Sequence, residues 1–360
     1  MVLPNDIRFR QGKKMRERQY NLDYLRIFAC FMVIVIHVSA QKWHIADINS
    51  TQWKSFNFYD SAVRSAVPLF IMLSGKLFLS NKKDISLREL FRKILRLFLV
   101  YSIWSLLYAI DSVGLHAFFE GHYGVVLNEM IKYHLWYLPA LINIYFLIPL
   151  FISVVKSQNN KYLLYMCFMF VFFTIGKEMM MPFCENITWL TSFCGRFNYA
   201  LGGLSGYFLL GYVLDKYKEK FSVVKSKVLL VGVILIVVLA AKLNEIYSIS
   251  VGKPSERLYG VYTLPVFLEA ILIFILFLRL PERSYFPQID KCAERISRYT
   301  FFIYLSHLFV IEHLDLWFGI TSTSFNSWCF IPILSAFVFF ICVIVAWVIE
   351  KIPVVKKLII

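Results

Sequence analysis

Apolar residues come in runs of about twenty along the chain, separated by short polar or basic segments. A helix rising ~1.5 Å per residue needs about that many to cross the hydrocarbon layer. The runs place spans at 22–40, 60–80, 95–113, 134–154, 161–177, 197–214, 226–243, 260–279, 299–317 and 328–349. The period-two alternation of a membrane β-barrel is absent. The pattern predicts an all-α fold, a polytopic transmembrane helical bundle of about ten helices, because only a helix satisfies every backbone polar group within its own span.

The polar connections alternate in charge. Lysine and arginine crowd the segments before the first span, around 82–96, 216–227 and 279–298, and after 350, while the intervening connections hold few, such as Lys42, Lys54, Lys132, Lys253 and Arg257. The basic set belongs on the cytoplasmic side, so both ends of the chain are expected inside. This predicts a basic cytoplasmic segment over 1–21, one transmembrane domain over 22–350 and a cytoplasmic tail over 351–360. No linker or internal repeat of the transporter kind is visible.

Composition agrees with the pattern. With 59% hydrophobic residues and a mean hydropathy of +0.64, the chain has more apolar surface than a soluble core can hide, so the surplus faces membrane lipid. The net charge of +15 does not indicate nucleic acid, because the basic residues mark alternate connections and form no single face. The cysteines show no CxxC pair and no zinc-like Cys/His spacing, so no metal is expected. Cys30, Cys167, Cys329 and Cys342 lie in apolar runs as small hydrophobes, while Cys184 and Cys194 share an external loop and could form a disulfide. The basic start followed by an apolar run, with Val38-Ser39-Ala40, also resembles a cleavable signal. Arg26 interrupts that run and suits a retained helix better.

Ionisable side chains within a span are candidates for function, since they are costly unless paired or facing a cavity. The first span carries Asp23, Arg26 and His37. Asp23 and Arg26 are three residues apart and can pair. Arg26 and His37 are eleven apart, which brings them within about 20° of one helix face and separates them by ~16 Å along the axis. One stripe thus offers a cation near the cytoplasm for an anionic donor and a titratable base near the outside. The same residues also suit plain snorkelling to the two headgroup layers.

The motif Asp23-x2-Arg26-x10-His37 resembles the first helix of the acyltransferase-3 family of membrane acyltransferases. Pro68-Leu-Phe-Ile-Met-Leu-Ser-Gly75 resembles its second-helix motif, Tyr133-His-Leu-Trp-Tyr-Leu138 its fourth-helix opening and Ile303-Tyr-Leu-Ser-His307 its late-helix motif. Lacking a soluble domain, the chain looks most like the family's compact O-acetyltransferases, such as that of enterobacterial common antigen. The family's Arg-x2-Arg donor pair reads here as Arg92-Lys93-Ile-Leu-Arg96, with lysine in the first place and Leu99 where proline is common. Charge is kept, but the fork of one guanidinium is lost.

The resemblance implies acetyl-CoA as donor, an envelope glycan or lipid-linked saccharide as acceptor, and a bacterial inner membrane as the location. It implies that His37, with Arg26 and Asp23, performs the chemistry, and that Arg26, Arg92, Lys93 and Arg96 hold the donor. His134, Trp136, Ser74, Tyr304 and His307 would then line the acceptor side. Each has a plainer reading: a positive-inside anchor for 92–96, an aromatic-belt residue for Trp136, close helix packing for Ser74 and Gly75, and a structural hydrogen bond for His307. The rival from another class is a carrier or flippase for a lipid-linked glycan, which would show repeat symmetry or helices broken near the midplane. A scaffold or sensor would need neither Arg26 nor His37.

Overall fold

The computed structural model describes residues 18–80, 85–119, 132–157, 159–179, 203–284 and 286–352. It is 81% helical and contains no strand among those residues. Cys184 and Cys194 lie outside them. The elements are α1 (Tyr20–Ala40), α2 (Thr51–Val63), α3 (Ala66–Leu79), α4 (Leu87–Phe119), α5 (Tyr137–Lys156, after a 3-10 turn at Tyr133–Trp136) and α6 (Asn160–Phe170, running into a π-helical turn at Val171–Gly176). They continue with α7 (Leu204–Lys216), α8 (Lys218–Phe221), α9 (Ser226–Val251), α10 (Leu264–Leu278), α11 (Pro287–Phe318) and α12 (Ser327–Ile349).

Eight of these helical stretches are long and apolar enough to cross a membrane. The two other expected spans are the shorter α7 and α10, and α7 begins at the edge of the described residues. In α1 the run Val33-Ile34-Val35-Ile36 is β-branched and would weaken a helix in water, yet it is helical here. Lipid offers an unpaired backbone no alternative partner.

Several boundaries differ from the sequence reading. The second span starts at Thr51 and breaks at Arg64–Ser65 between α2 and α3. Pro68 explains the break: it has no N–H to give the Arg64 carbonyl, and a proline is tolerated only in the first turn of a restarting helix. The third and ninth spans extend inward, to Leu87 and Pro287, because their basic first turns remain helical beyond the apolar run. Pro287 opens α11 at a position where its missing N–H costs nothing. Gly319 closes α11 at φ 63°, with Ile320 N–H returning to the Leu314 carbonyl.

The bundle has a centre and a lipid-facing shell. The most apolar stretch of Tyr20–Ala40 is 67% buried and that of Thr51–Leu79 is 78% buried, against 22% for both Ser226–Val251 and Asn160–Met179. At the centre, α3 and α7 cross with their backbones in contact. A Cβ on Gly75 would meet the Phe208 carbonyl oxygen at 1.7 Å, and one on Gly211 would meet that of Met72 at 2.0 Å. Gly75 is therefore a packing residue. α1 packs against α11 in the same direction, Arg26 facing Ser297 and His37 facing His307. The segments between them, α2–α3, α4, α5, α6, α7, α9 and α10, are odd in number, as a parallel pair requires.

Candidate active site

The α1–α11 pair carries two polar stations. The inner one is built around Asp23 and Arg26, which are 4% and 8% exposed. Arg26 donates to the Ser297 hydroxyl at 2.9 Å, and that hydroxyl donates to Asp23 Oδ1 at 2.7 Å. The expected Asp23–Arg26 pair is present at 3.6 Å. Asp23 has a closer partner in Arg18, whose Nε and Nη2 reach its two oxygens at 2.7 and 3.0 Å. Asp23 thus serves two guanidiniums, Glu294 also accepts from Arg18 Nη1 at 3.3 Å, and the Nε of Arg26 has no partner among the described residues. Arg26 is the buried cation of this station, and its Nε is the donor left over.

The other basic candidates lie on the same side. Arg92 is exposed, Lys93 and Arg96 are half-buried, and the Lys93 ammonium sits 5.9 Å from the centre of the Phe78 ring. Close by on α3, Lys76 is buried and ion-paired with Asp215 at 2.9 Å. The sequence reading overlooked Lys76. The signal was a lysine directly after Gly75 inside an apolar run.

The outer station gathers three imidazoles from distant parts of the chain. His37 ends α1, His134 lies in the 3-10 turn before α5, and His307 sits in α11. Ring centres are 4.9 Å apart for His37 and His307, 5.4 Å for His134 and His307, and 6.3 Å for His37 and His134. His307 is fully buried, and its Nδ1 donates to the Tyr304 carbonyl at 2.7 Å, which leaves Nε2 as the lone-pair nitrogen. That Nε2 has no partner among the described residues. Buried His134 approaches the Leu305 carbonyl without full hydrogen-bond alignment, and that oxygen also accepts from the Tyr108 hydroxyl at 2.8 Å. His37 is only half-buried.

Aromatic residues hold this cluster in place. Tyr304 donates through its hydroxyl to the His134 backbone carbonyl, and the Tyr108 ring packs edge-on to His134 at 5.0 Å. Tyr133 lies 5.4 Å from His37 on the open side. Trp136 is 46% exposed and Ser74 bonds to the Phe70 carbonyl of its own helix, so neither joins the histidines. Ser297, Arg18, Tyr108 and Tyr137 have structural parts that the sequence reading did not assign. Among the described residues, no group of His, Cys, Asp or Glu has the arrangement of metal ligands.

A polytopic helical membrane protein thus gathers three imidazoles at one end of a spanning helix that carries a buried arginine ~16 Å away along its axis. A family model described as an acyltransferase domain matches residues 19–347, and the chain belongs to that acyltransferase-3 family. It is a membrane-embedded acyltransferase. No curated protein and no solved structure matches it.

Proposed function

We propose that the protein transfers a short acyl group, acetyl, from cytoplasmic acetyl-CoA to a hydroxyl of an envelope glycan or lipid-linked saccharide, as a compact O-acetyltransferase of a bacterial inner membrane. The observation that carries this reading is the convergence of His37, His134 and His307 at one end of a helix whose other end holds Arg26. Acetyl-CoA is made inside and the glycan lies outside, so the enzyme must bring the two together through the bilayer. Arg26, Arg92, Lys93 and Arg96 attract the donor's phosphates at the inner side. The thiol-bearing arm extends along α1 and α11 toward His37.

At the outer station His37 takes the proton of the acceptor hydroxyl as its oxygen attacks the thioester carbon. The tetrahedral adduct collapses, the carbon–sulfur bond breaks, and the leaving thiolate takes the proton from the imidazolium. The alternative order, in which the imidazole accepts the acyl group and then passes it on, uses the same residues. Membership of an acyltransferase family favours both over a glycan carrier, which would move its cargo without a thioester.

The test is transfer of labelled acetyl from acetyl-CoA to a saccharide acceptor by the protein in vesicles. His37→Gln keeps hydrogen bonding but cannot act as a base near neutral pH. Transfer should be lost while CoA binding persists. Full transfer by the His37→Gln variant overturns the mechanism.

A further inference from the structure

Seven tyrosines are buried among the described residues, and most of their hydroxyls have a clear partner. Tyr108 donates to the Leu305 carbonyl, Tyr207 to the Val261 carbonyl, Tyr304 to the His134 carbonyl, and Tyr259 to Asn57. Tyr137, the first residue of α5, is 5% exposed, yet its hydroxyl bonds to nothing among the described residues. A buried phenol normally finds a partner, because stranding it in an apolar region is costly. Phenylalanine would fill the same volume without that cost.

The position of the hydroxyl suggests what it is for. The Tyr137 ring is fixed edge-on against Tyr304 at 5.5 Å and lies 6.4 Å from Phe70. It stands one turn inward of His134 and within electrostatic reach of Arg26. It therefore lies on the stretch that joins the inner cation to the outer imidazoles.

We propose that the Tyr137 hydroxyl donates a hydrogen bond to an amide carbonyl of the donor's pantetheine arm, holding the thioester level with the histidines. The inference rests on the acyl-CoA reading above. The amide nearest the sulfur has its nitrogen two carbons from it, so its carbonyl trails the sulfur by about 5 Å, close to the rise of one helical turn. An amide carbonyl crossing a dry helical bundle needs a donor there. Tyr137 supplies one and acts as a positioning residue for the transfer.

Tyr137→Phe removes only the hydroxyl. The purified variant should unfold, without donor, at the wild-type temperature or above it, since no existing bond is lost. Its kcat/KM for acetyl-CoA should fall about tenfold, the size of one buried hydrogen bond. Two truncated donors sharpen the test: S-acetyl-N-acetylcysteamine, which keeps the amide nearest the sulfur, and S-pentyl thioacetate, which lacks it. Wild-type protein should prefer the first, and the variant should lose that preference. An unchanged ratio between the two donors overturns the proposal, and so does a lowered unfolding temperature, which would reveal a structural partner. Wild-type protein that uses none of the three thioesters overturns the acyl-CoA reading itself, and this result is separable from loss of the ratio alone.

Discussion

The two ends of the α1–α11 pair are built on opposite principles. At the inner end, Arg26, Ser297, Asp23 and Arg18 form a chain of bonds at 2.7 to 3.0 Å, so most of their polar atoms are satisfied within the protein. At the outer end, Nε2 of His307 is buried without a partner among the described residues, and His134 makes only a poorly aligned approach to the Leu305 carbonyl. A satisfied network fixes a shape, and an unsatisfied one stores capacity for hydrogen bonds or protons from elsewhere. The inner station thus reads as a charged frame for binding, and the outer station as the place of reaction.

The comparison is broken most severely at His37. If the outer station performs the chemistry, His37→Gln should lower kcat by roughly 10²–10⁴-fold, the usual worth of a positioned general base. The KM for acetyl-CoA should barely move. Steady-state kinetics on reconstituted protein separates the two parameters, and a change confined to KM would assign His37 to binding.

At the inner station the signature should reverse. Arg26→Ala should raise the KM for acetyl-CoA about ten- to hundredfold, as loss of a charge-assisted contact does, and leave kcat within a few fold. If Asp23 paired with Arg26 alone, as their spacing allows, this change would strand Asp23 and cost folded protein. The structure predicts a milder effect, because Arg18 holds both Asp23 oxygens and Ser297 still donates to it. Size-exclusion profiles of the variant in detergent check that point.

A smaller effect is expected at the start of α4. Replacing Lys93 and Arg96 together by alanine should weaken CoA binding several-fold, with the difference shrinking at high salt, whereas Lys93→Arg should bind at least as well. Titration calorimetry at two ionic strengths measures both. An affinity unchanged in the double variant would make this cluster a topology anchor only.

These contrasts show what could be read from the chain. The bundle was legible because a lipid solvent leaves an apolar run of twenty residues one main solution, and the parallel pairing of α1 with α11 fits the spans drawn from it. The break at Arg64–Ser65 was missed, although Pro68 signals it, because hydropathy continues smoothly across the turn. His37, His134 and His307 were each legible as polar residues in apolar surroundings. Their meeting was not, since it depends on how three helices pack, and no local period encodes that. Ser297 gave no signal, and Tyr137 was legible only as one letter of the 133–138 motif, because serine and tyrosine are ordinary at helix contacts and membrane interfaces. Arg18 was legible only as one member of a basic segment, and its grip on Asp23 came from the fold.

The smallest effect belongs to the rim at the Arg26 end of the α1–α11 pair. Glu282, between α10 and α11, accepts from Lys218 at 2.8 Å and from the Gln19 amide at 2.9 Å, while its own carbonyl accepts from Tyr20 N–H at 3.1 Å. It therefore ties the start of α1 to the start of α11. The Lys218 ammonium holds the Glu282 carboxyl below its usual value, and Glu282 in turn holds Lys218 above its own. A carboxyl lowered on folding contributes stability above its unfolded pKa, about 4.3, and loses it as the pH falls through the folded value. Both side chains are more than a third exposed, so solvent screens the pair to roughly 0.5 kcal/mol or less. Glu282→Gln should lower the unfolding temperature at pH 7 by about 1 °C, and the gap between variant and wild type should close as the buffer is taken below about pH 4. A gap that persists there would mean that Glu282 supports α1 through its shape and neutral hydrogen bonds, with its charge adding nothing.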